Sequence, residues 1–80
     1  MPLYLLHHQH EAAECAAAFA AWNGFESPLR HRQATSTCLG GGHSVWWRVE
    51  ADDAGAALSL LPRYVARRSR VTEVRDVEIT

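Results

Sequence analysis

The chain has 80 residues, 48% hydrophobic and 21% charged, with a formal net charge of −1. That length implies one small domain, residues 1–80, with a limited core, and the apolar share argues against disorder. The near-zero charge gives no general pull toward nucleic acid or an anionic membrane, and no stretch has the length to span a bilayer.

Leu3 to Gln9, "LYLLHHQ", reads as a buried strand: short, apolar and containing an aromatic. "EAAECAAAFAAWNG" follows with the alanine content of a helix. Ala12, Cys15, Phe19 and Trp22 fall at helical spacing and predict one apolar face. Glu11 and Glu14 suit the positive N-terminal end, and Asn23-Gly24 is a stop signal. "FESPL" is a loop. "RHRQATSTC" is a candidate edge strand, and "LGGG" a turn. "HSVWWRVE" is the clearest strand, with Val45, Trp47 and Val49 on one face and Ser44, Trp46, Arg48 and Glu50 on the other. "DDAGAALSLL" predicts a second helix capped by Asp52 or Asp53. Pro62 ends or kinks it, and "RYVARR" adds a further turn. "VTEVRDVEI" is the last strand.

The order β-α-β-β-α-β predicts an α+β, ferredoxin-like fold: a four-stranded antiparallel sheet, order 4-1-3-2, with two helices on one face. In that topology the end of strand one, the end of strand two and the start of strand three share one sheet edge. That edge gathers His7, His8, His10, Cys38 and His43, joined by Cys15 from the first turn of the helix. His31 is expected at the other end.

Imidazole and thiolate are the usual ligands of nickel, copper and zinc. Strand alternation places His8 and His10 on one face and His7 on the other. The tightest predicted ligand set is His8, His10, Cys38 and His43. His7 or Cys15 substitutes if the register differs by one. The plain alternative is that the histidines are polar residues near a surface, Cys15 a small core residue and the glycines only a tight turn. "CLGGGH" matches no standard zinc-finger spacing.

One of Trp46 and Trp47 must face away from the helices, where an indole is costly to leave in water. Trp46 on the open face therefore predicts a homodimer through the sheet. Nucleic-acid binding is the weaker reading, because the arginines of "RYVARRSR" sit near a helix end rather than across the sheet. All 8 basic residues are arginine, which reads as compositional bias. With only two cysteines and an N-terminus, "MPLYLLHHQHE", that lacks a signal-peptide pattern, the expectation is a cytoplasmic protein with reduced thiols.

The length, the element order, the "HH" ending strand one, "AAW" and the final "TEVRDVEI" resemble small bacterial ferredoxin-like proteins of the dimeric α/β-barrel superfamily. Some of these are of unknown function, and one short group includes a nickel-binding protein with a His-His pair at the same point. That resemblance implies His7 and His8 as ligands. The superfamily also holds small monooxygenases and heme-degrading enzymes, which implies a monooxygenase-like or heme-linked alternative. A third possibility is a dimeric scaffold without chemistry. The chain shows no set of nucleophile, base and orienting group, and "CLGGGH" departs from the family pattern.

Overall fold

A computed structural model describes residues 1–80. The strands are β1 (Leu3–Gln9), β2 (Thr35–Ser36), β3 (Ser44–Glu50) and β4 (Ser69–Val74), and the α-helices are α1 (Cys15–Ala20), α2 (Ala54–Leu58) and α3 (Arg63–Ala66). The strands form one open antiparallel sheet in the order β2-β3-β1-β4, with the helices packed on one face. This is the ferredoxin-like α+β arrangement that the element order predicts. The sheet is open, so the barrel implied by the family resemblance does not form within the chain.

Register follows from alternation. β1 pairs with β3 from Leu3–Glu50 to Gln9–Ser44, and with β4 from Leu3–Val74 to His8–Ser69. Tyr4, Leu6 and His8 therefore share the inner face with Val45, Trp47 and Val49. Tyr4, Leu6, Leu29, Val49, Ala57, Leu61 and Val65 are buried together as the core. Leu6 is fully covered, a burial that stabilises by about 1.5–3 kcal/mol.

Several predicted boundaries move, each for a local reason. β4 starts two residues early and stops at Val74, because Val74 already pairs with Leu3, the first residue of β1. Val77 and Ile79 have no strand left to pair with and are exposed. β2 shrinks to two residues because only Thr35 and Ser36 reach β3 before the chain turns at Thr37. Pro62 separates α2 from α3 and caps the latter, as a residue without an N–H should. Asp53 caps α2, accepting from Ala56 N at 2.7 Å.

The first helix opens with a 3-10 turn, Ala12–Glu14, ahead of α1. The Glu14 carboxylate accepts from Glu11 N at 3.0 Å there. Its inward side runs through Cys15, Ala18 and Trp22, while Phe19 is 62% exposed and Ala12 is exposed. The apolar face is thus rotated away from Ala12-Cys15-Phe19-Trp22, as the tighter 3-10 winding before it allows.

Candidate metal centre

The backbone brings the two histidine stretches together. Beyond the last β1–β3 pair, His10 N donates to His43 O at 3.1 Å. This extends the ladder by one rung and sets His10 opposite His43 on the inner face. The rings lie 5.3 Å apart between centroids.

The "TCLGGGH" hairpin supplies the required geometry. Thr37 is its hub: its carbonyl accepts from Gly40 and Gly42, and its Oγ1 accepts from Ser44 N. Gly41 adopts a left-handed backbone, φ 87°, which favours glycine. A Cβ at Gly42 would overlap the Thr37 side chain, so the third glycine permits a close approach. Gly40 meets no such constraint. Two of the three glycines thus aim the chain into His43.

His8 is 2% exposed and His10 is 7% exposed. The hydrogen-bond network assigns their tautomers. His8 Nδ1 lies 3.2 Å from Val65 O, and a carbonyl only accepts, so Nδ1 carries the proton. Ser69 Oγ also donates to Val65 O, at 2.7 Å, and lies 3.3 Å from the same Nδ1. His8 Nε2 is then a lone pair, and His10 Nδ1, 2.8 Å away, donates to it. His10 Nε2 is left with a free lone pair. It is buried and has no hydrogen-bond partner, and neither has His43 Nδ1. Burial holds the His8 imidazolium below its ordinary pKa, outweighing the opposing bond to Val65. A neutral His8 is what the relay requires.

His10, Cys15 and His43 form a cluster able to coordinate a metal ion: one ligand atom from each lies within 4.8 Å of the others. An ion bonded at about 2.0–2.3 Å draws tetrahedral ligands to about 3.3–3.8 Å from one another. Side-chain rotation closes a gap of about 1 Å. The relay behind His10 matches the usual support of a ligating imidazole, whose other N–H is donated to a fixed acceptor. Cys15 is a free, half-buried thiol, the first residue of α1. Next to it, Glu14 pairs with Arg68 at 2.8 Å and ties the start of the helix to the turn that precedes β4. The bond from Glu11 N, aided by Arg68, lowers the Glu14 carboxyl pKa.

The remaining predicted ligands lie elsewhere. His8 stands behind His10 rather than in the cluster. His7 points to the outer face and stacks on Trp46, with centroids 4.7 Å apart and planes 6° apart. The chain thus covers part of the indole itself. Cys38 is half-buried and lines a cavity that also touches His8 and His10. His31 lines that cavity too rather than sitting at the far end, because the chain from Phe25 to Ala34 folds back over the inner face and buries Leu29. Sequence reading missed Val65 and Ser69 as the anchors of His8. One anchor is a backbone carbonyl, which has no residue-type signal.

The chain matches no protein-family model, no curated protein and no solved structure. The resemblance to the dimeric α/β-barrel superfamily and its nickel-binding group is therefore not upheld, and it lends no support to His7 and His8 as ligands. No helix is long and apolar enough to cross a membrane.

Proposed function

We propose that the protein binds one transition-metal ion through His10 Nε2, Cys15 Sγ and His43 Nδ1. The observation that carries this reading is that, of three buried and unpartnered imidazole nitrogens (His7 Nε2, His10 Nε2 and His43 Nδ1), two belong to residues that converge with a thiol. Leaving a buried polar atom unpaired costs about 1–3 kcal/mol, and a bound cation would satisfy both at once. Two imidazoles and one thiolate suit zinc, copper or nickel. Three protein ligands leave a coordination position for water or a small ligand.

The test is metal content after loading with zinc, copper or nickel and dialysis, with native mass recorded alongside. About one ion per chain is expected, with loss in His10→Ala, Cys15→Ala and His43→Ala. Cobalt loading should add a thiolate charge-transfer band that Cys15→Ala removes. His7→Ala and Cys38→Ala should keep the ion. A protein that takes up none of these metals sinks the proposal, as does one that holds its ion in Cys15→Ala and loses it in Cys38→Ala.

A further inference from the structure

A second feature adjoins the cluster and shares His10 with it, but its anion-binding groups lie on another segment. A cavity of about 420 Å³ opens between the inner face of the sheet, α1 and the segment from Leu29 to Ala34. That volume is in the range of small-molecule sites. Nine of its 15 lining residues are hydrophobic, including Trp22 and Trp47, whose rings lie 5.9 Å apart. The polar lining is His8, His10 and Ser36 together with the consecutive Arg30, His31 and Arg32, and no aspartate or glutamate lines the cavity. Arg30 is half-buried and steadied by a 3.4 Å bond to Phe25 O.

The segment also carries the only non-glycine residue with a left-handed backbone, His31 at φ 65°. That conformation is unfavourable for a residue with a Cβ, and such residues concentrate at ligand-binding loops. Here it sits between the two arginines. Guanidinium groups recognise carboxylates in a planar, two-bonded fit, while indoles offer flat apolar walls.

We propose that this cavity binds a small apolar carboxylate, its hydrocarbon part against Trp22 and Trp47 and its anionic group at Arg30 and Arg32. An apolar cavity alone would accept a neutral molecule equally well. No carboxylate lines this cavity, and neither arginine is held in an ion pair, although Arg32 also borders a neighbouring cavity with Glu50 and Asp76; the arginines select the acid.

The probe is 2-naphthoate against its neutral amide, 2-naphthamide, in chelator-treated protein. Calorimetry reads affinity and the indole N–H resonances read position. Naphthoate is expected to bind about tenfold more tightly than the amide, the discrimination of one charge-assisted hydrogen bond. It should shift Trp22 and Trp47 and leave Trp46, on the outer face, unmoved. Arg30→Gln/Arg32→Gln should erase the preference for the acid. Ala34→Trp, at an exposed lining position, should weaken both probes. Equal binding of acid and amide overturns the proposal. So does absence of binding at millimolar naphthoate, or shifts at Trp46 as large as at the other two. Repeating the titration in Cys15→Ala separates the two readings: binding should persist there whether or not the metal site exists.

Discussion

The two ends of the inner face of β1 are buried alike and built differently. Tyr4 and Leu6 are 6% and 0% exposed, and His8 and His10 are 2% and 7% exposed. At the first end, burial exchanges water for dispersion contacts with Val49, Ala57 and Val65. At the second, it encloses four ring nitrogens. Three of them find partners and the fourth, His10 Nε2, does not. Apolar side chains in those two places would remove the unpaired nitrogen and extend the core. The proposed metal site accounts for the histidine end as folding alone does not, so the two ends should respond differently when broken.

The largest effect is expected at the apolar end. Leu6→Ala removes a fully buried side chain and should cost about 2–5 kcal/mol in urea unfolding. The remaining folded molecules should load metal as before. Loss of metal capacity in protein shown to be folded would mean that the two ends are not separable. At the other end, His8→Leu removes the acceptor for His10 Nδ1 and frees that ring to turn. Metal affinity should fall by about 10–100-fold, read by competition with a chromophoric chelator. An unchanged affinity would show that His10 is held by packing and that the Val65-His8-His10 relay is incidental. A smaller effect is expected from Asp53→Ala, which removes the cap of α2, the helix that carries Ala57 over Tyr4. It should cost about 1 kcal/mol without changing metal affinity.

The same contrast explains how much was legible in the sequence. The fold was readable because Leu3, Tyr4, Leu5 and Leu6, and Val45 to Val49, carry strand periodicity, and because Asn23-Gly24, Asp53 and Pro62 punctuate the helices. The meeting of His10 with His43 followed from topology alone. Which cysteine joins them did not, since that depends on how the 3-10 turn at Ala12–Glu14 rotates α1. The position of His31 was also hidden. It depends on Leu29 entering the core and Ser27 bonding Leu60 O, which pin a long irregular segment by contacts with no periodic signature. The ends of β2 and β4 were set by the partner strand rather than by their own residues.

The smallest predicted effect tests the apolar end by pH. The phenol of Tyr4 is pushed above its ordinary pKa, first by burial and then by the carboxylates of Glu73 and Asp53. Glu73 is its direct cross-strand neighbour on β4. The folded protein therefore keeps the Tyr4 proton at a pH where the unfolded chain, with a phenol near pKa 10, has begun to lose it. Above about pH 10 the unfolded state binds fewer protons than the native state, so stability falls as pH rises until the native pKa is passed. In Tyr4→Phe that component should be absent. Urea midpoints measured from neutral pH into alkali should decline more steeply for the wild type than for Tyr4→Phe. Parallel declines would show that Tyr4 ionises as freely in the folded protein as in the unfolded chain, and that this end is more open to water than its burial indicates.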